Sequence, residues 1–330
     1  MRNDHIMTGR LSVRAALGAA LCFGFLPTLA QAQNPQEVTS AAPPACGREC
    51  LYRVLDRYLD ALTAKDPSRV SWAKMVRYTE NNVSLMVGDG LWGTISGLGP
   101  YQLRFADPLN GQVGYFGEVK ETLTASPFAL RLKVEDGLVA EVETVVFRAP
   151  DGGILPPPED PLVDKPVLQE LVPPEDRTPR ERMISLVNGY FDTLQLNDGT
   201  LFTQFDDQCD RFENGTRTTN NPNSKITRVT SLGCAAQFRT GFFRIDDRLR
   251  ARRYPLVDEE RGLVLASAFI DHSGRLGSYR LSDGTVAESR FRRPHTFCVM
   301  ELFKIQKGKI RQIEAVLITV PYNMPSPWTR

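Results

Sequence analysis

The sequence is poor in the residues that most catalytic motifs require. It has three histidines in 330 residues. His5 falls in a segment expected to be removed, which leaves His272 and His295 as the histidine acid–base candidates. No C-x-x-C pair occurs and no histidine sits at ligand spacing from a cysteine, so no metal site is expected. A Gly-rich phosphate loop and a G-x-S-x-G nucleophile elbow are both missing. Neither sign of charge is in excess: 40 Lys and Arg stand against 39 Asp and Glu. That balance argues against a nucleic-acid binder, which would carry a basic stripe. The basic tract "RFRRPH" at 290–295 reads as a solvated edge. Beyond the N-terminal segment no run is apolar enough to span a bilayer, so stable membrane insertion is not expected.

What is present begins with a targeting signal. Arg10 and Arg14 precede the apolar run "AALGAALCFGFLPTLA", and "AQA" at 30–32 supplies small residues for cleavage after Ala32. Gly24 and Pro27 break the run, against a membrane anchor, and the large Leu21 before Cys22 fits a lipoprotein signal poorly. Residues 1–32 are therefore expected to be a signal peptide and 33–45 a flexible segment, which places the mature protein outside the cell or in a periplasm. Export permits disulfides. Cys209 and Cys234, which flank an irregular polar stretch, are the first choice of pair, and Cys46 and Cys50, one turn apart at a helix start, are a possible second. Cys298, in an apolar strand, reads as a buried free thiol.

The chain echoes itself in order. Leu51, Val54, Leu55, Tyr58, Leu59 and Leu62 follow one helical face, as do Met183, Val187, Tyr190, Phe191 and Leu194. Thr178, Pro179 and Glu181 predict a capping box with proline at the first helical position. "YLDAL" from Tyr58 matches "YFDTL" from Tyr190, and Glu80-Asn81 matches Glu213-Asn214. "ADPLNGQVGYF" from Ala106 aligns with "VDEERGLVLAS" from Val257. "RLKVEDGLVAEVETVV" from Arg131 aligns with "LFKIQKGKIRQIEAVL" from Leu302, placing Lys133 on Lys304, Gly137 on Gly308 and Glu143 on Glu314. Both copies of this last match are hairpin signals around a glycine turn. The order of the matches implies a tandem duplication, with domains at 46–149 and 178–330 and a Pro-rich acidic linker at 150–177. The second copy carries extra residues at about 216–250 and 271–294, and "CAAQFRTGFFRIDDRLRARR" predicts a short helix within the first of these.

Each half thus reads as a long helix, a short second helix and a curved antiparallel sheet. The segments "YLDALTAKDPSRV", "YTENN" and the closing hairpins resemble the nuclear-transport-factor-2-like (SnoaL-like) fold, an α+β cone shared by ketosteroid isomerase and scytalone dehydratase. "TENNVSLMVGDGLWGT", "RRYPLVDEERGLV" and "PYNMPSPW" resemble an uncharacterised secreted family of fungi and bacteria. The resemblance implies an apolar cavity between helices and sheet, with cofactor-free acid–base chemistry or simple binding inside it. It also implies that the two domains pair through their sheets as an intrachain pseudo-dimer.

The site candidates follow from strand parity. Asp271 and His272 point to opposite faces. His295 and Glu301 lie roughly 20 Å apart along one strand. A dyad would therefore form across strands, as His272 with Glu301 or His295 with Asp271. The competing reading places both histidines, hydrated, at a turn and a strand start. Glu301 shares parity with Val299, Phe303 and Ile305 and replaces Leu130 of the first copy, so it is either a buried acid–base group or the partner of Arg253 or Arg292. Glu80-Asn81 and Glu213-Asn214, being repeated, read as structural groups that secure strand ends. Arg253, Tyr254 and Trp92 are binding candidates, Trp92 either as a lid over the first cavity or as plain core. The expected function is a cofactor-independent lyase, isomerase or hydratase for a small hydrophobic or aromatic molecule, sited in the second copy. The alternative is a non-catalytic ligand-binding or interaction protein using the same cavity.

Overall fold

The computed structural model describes residues 46–122, 124–149, 162–224 and 226–329. The expected signal peptide, the 33–45 segment and residues 150–161 of the linker lie outside the described residues. The first domain runs α1 (Arg48–Thr63), β1 (Trp72–Glu80), β2 (Val83–Ser84), α2 (Leu91–Thr94), β3 (Ile95–Asp107), β4 (Gln112–Glu121), β5 (Thr124–Glu135) and β6 (Leu138–Val146). After a short α3 (Pro166–Gln169), the second domain has α4 (Arg180–Leu196), β7 (Phe205–Glu213), β8 (Thr216–Arg217), α5 (Cys234–Arg239), β9 (Arg248–Asp258) and β10 (Leu263–His272). A small hairpin, β11 (Ser278–Arg280) and β12 (Val286–Glu288), precedes the closing pair β13 (His295–Gln306) and β14 (Lys309–Val320).

Two six-stranded sheets have the same order, β2-β1-β6-β5-β4-β3 and β8-β7-β14-β13-β10-β9. The duplication is therefore repeated topology as well as repeated sequence. Each curved sheet carries its long helix on one face, a tandem α+β architecture. The sheets are not purely antiparallel as expected: β1 pairs with β6, and β7 with β14, in parallel. In both sheets this parallel pairing steps register at a bulge.

The apolar stripe of α1 buries Leu51, Leu55, Tyr58 and Leu62 against the first sheet, and α4 buries Met183, Val187, Tyr190 and Phe191 against the second. The capping box before α4 does not form. Pro179 is the N-cap without a side-chain cap, because the Thr178 hydroxyl instead accepts the Gly308 N–H at 3.0 Å. Of "CAAQFRTGFFRIDDRLRARR", Cys234–Arg239 is helical and the stretch from Arg248 is strand. Residues 162–177 are not a loose linker: Leu162, Leu168 and Val172 are buried, and Lys165 pairs with Glu314 at 2.9 Å.

The outer faces of the two sheets share one core, in which Phe105, Phe116 and Val145 of the first sheet pack with Leu265, Met300 and Leu302 of the second. Charged groups cross this boundary reciprocally. Arg48 at the start of α1 holds Asp258 at 2.6 Å, and Arg180 at the start of α4 holds Asp107 at 2.7 Å. Each of these buried aspartates also accepts a backbone N–H from the other domain, Ala106 to Asp258 and Val257 to Asp107. Trp328 completes the join, with its ring against the guanidinium groups of Arg77, Arg131 and Arg253. Disulfides link Cys46 with Cys50 and Cys209 with Cys234, and Cys298 is a buried free thiol.

Candidate functional site

The second domain contains a cavity of about 480 Å³ between α4, the concave face of its sheet and the two insertions. Most of its walls are apolar: Leu194, Ile270, Val299 and Leu317 come from the repeated framework. Phe242, Phe243, Tyr279 and Phe291 come from segments with no counterpart in the first copy. The insertions are therefore what enclose the space. In the first domain the same region is filled, with Tyr58 edge-on to Trp92 at 5.5 Å and to Trp72 at 6.2 Å.

Glu301 lies in the middle of β13, on the face it shares with Val299 and Phe303. The pairing places Ala266, Glu301, Ala315 and Glu213 in one row across the sheet. The small Ala315 leaves space between the two carboxylates. The buried Tyr190 hydroxyl on α4 donates to Glu301 Oε1 at 3.0 Å. Burial drives the Glu301 carboxyl up to about 7, against the opposing pull of Arg211. Burial also raises Tyr190 well above the usual phenol range, so it keeps its proton as a donor.

Arg211 on β7 is the cation of this end. Its guanidinium bonds Gln237 Oε1 at 2.5 Å and Glu213 Oε1 at 2.6 Å, and it lies over the rings of Phe238 and Phe243. Its Nε has no hydrogen-bond partner among the described residues. Asp246, at the end of the first insertion, also lines the cavity, and burial raises its carboxyl well above the usual range.

The histidines occupy the other end. His272 and His295 are register partners on β10 and β13, with rings stacked 4.8 Å apart and boxed by Phe291 and Phe297. His272 Nδ1 faces the Ile245 carbonyl at 3.1 Å, so Nδ1 carries the proton. Burial, reinforced by His295, lowers His272 to about 4, and the ring is neutral near pH 7. His272 lines the cavity, six residues of strand from the Glu301 row, roughly 20 Å. The two do not form the expected dyad.

The remaining candidates also fall elsewhere. His295 is buried rather than hydrated, with Nδ1 at 2.8 Å from the Arg293 carbonyl. Asp271 faces away from the cavity, where Arg248, Arg250 and Thr296 hold it; burial opposes ionisation, but these donors prevail and lower its pKa. Arg253 does not reach Glu301. It pairs across the domain boundary with Glu143 at 2.5 Å. The Tyr254 hydroxyl donates to Asn188 at 2.8 Å, and Trp92 is buried in the first core. None of these three lines the cavity.

The repeated Glu-Asn pair divides. Asn81 and Asn214 each take a positive φ and bridge the last strand of their sheet, exchanging two hydrogen bonds with Val146 and with Leu317. That role is structural, as the repetition suggests. Glu80 is structural too, accepting the Leu91 N–H at the start of α2 at 2.7 Å. Glu213 differs, because it lines the cavity and meets Arg211.

Tyr190, Arg211, Glu213 and Asp246 were not singled out from the sequence as site residues. Arg211 had a usable signal. It stands at the position of the buried Tyr78, as Glu301 stands at that of Leu130, so the second copy puts charge where the first has core. Asp246 and Phe291 lie in insertions, where a duplication offers no comparison. Among the described residues no cluster of three or more His, Cys, Asp or Glu could hold a metal ion, and no helix is long and apolar enough to cross a membrane.

Residues 176–317 match a family described as a domain of unknown function (DUF8021). No curated protein matches the chain in sequence. Among solved structures, the chain is similar to a protein of unknown function with a cystatin-like fold from Methylobium petroleophilum PM1, at 12% identity over 33% of this chain and 84% of that one, TM-score 0.28. It is similar also to a de novo designed protein with a curved β-sheet, at 16% identity over 31% and 88%, TM-score 0.26. A third likeness is to BvnE pinacolase from Penicillium brevicompactum, at 11% identity over 33% and 88%, TM-score 0.26. Likenesses this low carry no functional argument, and the chemistry of the cavity has to be read from its own residues.

Proposed function

We propose that the second-domain cavity is the active centre of a cofactor-independent lyase or isomerase, hydratases included, acting on a small hydrophobic or aromatic carbonyl compound. The observation that carries this reading is Glu301, a buried carboxyl raised to about 7 in a mostly apolar cavity, in contact with a phenol that keeps its proton. At neutral pH such a group is ionised in part of the molecules and strongly basic when ionised. It takes a proton from the carbon next to the carbonyl. With the Tyr190 proton held on Glu301, the positive charge of the nearby Arg211 guanidinium stabilises the negative charge that develops on the carbonyl oxygen. Return of the proton at another carbon gives an isomerase, and loss of a hydroxyl from the next carbon gives a hydratase run in reverse.

The test is exchange of that proton in heavy water. Small aromatic ketones are incubated with the purified chain and followed by NMR. Exchange should rise with pH through a limb near 7 and fall by about 10²-fold or more in Glu301→Gln. Ketones that bind without exchange would replace this reading with the non-catalytic one. The reciprocal Arg48–Asp258 and Arg180–Asp107 pairs support reading the two domains as an intrachain pseudo-dimer. Two disulfides support a secreted or periplasmic location.

A further inference from the structure

The charge arrangement around Arg211 bears on what the cavity admits. One buried cation in an apolar cavity would ordinarily mark a site for a carboxylate or phosphate. Here that charge is already used. Glu213 takes one terminal nitrogen at 2.6 Å, Gln237 takes the other, and aromatic rings cover the guanidinium plane. The Arg211 nitrogen without a partner among the described residues is Nε, a single N–H. That nitrogen is itself closed off from solvent, so Arg211 presents no pair of parallel donors to an entering carboxylate.

The other inner groups add no compensating charge. His272 donates its Nδ1 proton to a backbone carbonyl and is neutral, Glu301 accepts from Tyr190, and Asp246 is buried beside the apolar walls. The remaining charged lining groups are at the rim. Arg228 is 60% exposed and lies near Asp283, Glu288 is 68% exposed and pairs with Arg292, and Arg290 is exposed. An ion entering the cavity would lose its hydration and find Arg211, the inner cation, already paired with Glu213.

We infer that the cavity selects an uncharged carbonyl ligand, and that Glu213 determines this selectivity by neutralising Arg211. The inference rests on the proposed site and narrows its substrate class. It also gives the second Glu-Asn echo a role that the first lacks: Glu80 secures a helix, and the same residue type in the second copy sets the charge of a cavity.

The experiment titrates the full chain with three probes of matched shape, naphthyl methyl ketone, naphthoate and naphthylmethylammonium, at about pH 6, where Glu301 is mostly protonated. The ketone should bind about tenfold or more tightly than either ion. In Glu213→Gln, Arg211 is released, and the ratio of naphthoate to ketone affinity should rise about tenfold. Wild-type protein that binds either ion as tightly as the ketone overturns the inference, as does failure of all three to bind. An unchanged ratio in the folded variant overturns the role of Glu213. Should Glu213→Gln not fold, Arg211→Gln tests the same pair from the other side: with Glu213 left unpaired, the ratio of naphthylmethylammonium to ketone affinity should rise about tenfold, and an unchanged ratio overturns the role of Glu213. Binding is read without turnover, so loss of selectivity and loss of proton exchange are separate results.

Discussion

Replacing Glu301 with glutamine should make the protein more stable while removing its chemistry, and the gain should depend on pH in a defined way. Burial raises the carboxyl from the ordinary 4.5 to about 7. A group that holds its proton more tightly when folded destabilises the folded state as pH rises through that window. Below about 4.5 both states are protonated and the penalty is absent; above about 7 both are ionised and it is complete. Its size is about 3 kcal/mol for a fully buried group. Glutamine keeps the shape and the oxygen that accepts from Tyr190, and it never ionises. Urea unfolding at about pH 4 and about pH 8 should therefore show wild type and Glu301→Gln nearly equal at the lower value, with the variant ahead by about 3 kcal/mol at the higher one. A difference that stays constant with pH would refute the reasoning, because it would mean that Glu301 has the same pKa in the folded and unfolded states and that burial does not raise it. The same variant should be inert in proton exchange, which separates a functional carboxyl from a merely tolerated one.

Other outcomes follow from the remaining structure. Asp258→Asn should cost roughly 3 kcal/mol in chemical denaturation, because it leaves Arg48 half-buried without its closest partner; a loss under about 1 kcal/mol would show that the cross-domain pair contributes little. Removing the Cys209–Cys234 bridge, which spans 25 positions, should destabilise by about 3 kcal/mol, and removing Cys46–Cys50, which spans 4, by about 2 kcal/mol; the reverse ranking in thermal melts would contradict the loop-closure argument. Cys298, buried with its thiol pushed up to about 12, should resist a thiol reagent in native buffer and react fully in denaturant; fast native labelling would show that the domain boundary opens.

The parts of the fold legible in the sequence were those governed by local periodicity and by repetition. The stripes from Leu51 to Leu62 and from Met183 to Leu194 specified two helices, because burial of a helix follows its own 3.6-residue period. The aligned hairpins, with Lys133 and Lys304 or Gly137 and Gly308, marked equivalent strands because a turn constrains its residues locally. Strand parity put Glu301 on the face of Val299 and Phe303, since side chains alternate whatever the strand pairs with. The capping box at Thr178 failed for the opposite reason: its hydroxyl found a partner in Gly308, 130 residues away, and nothing near Thr178 in the chain announces it.

The site shows the same division. By itself the sequence determined that the chain is duplicated, that Asp271 and His272 face opposite ways, and that Glu301 breaks an apolar pattern. Only the tertiary structure decided which groups meet. It put Tyr190 and Arg211 near Glu301, stacked His272 on His295, and used Arg253 to join the domains. It also turned one glutamate of a repeated pair into a helix anchor and the other into the counter-ion of a buried arginine. Orientation along a strand is a local property of alternating bonds. Contact between strands depends on register, bulges and inserted loops, which local alternation does not set.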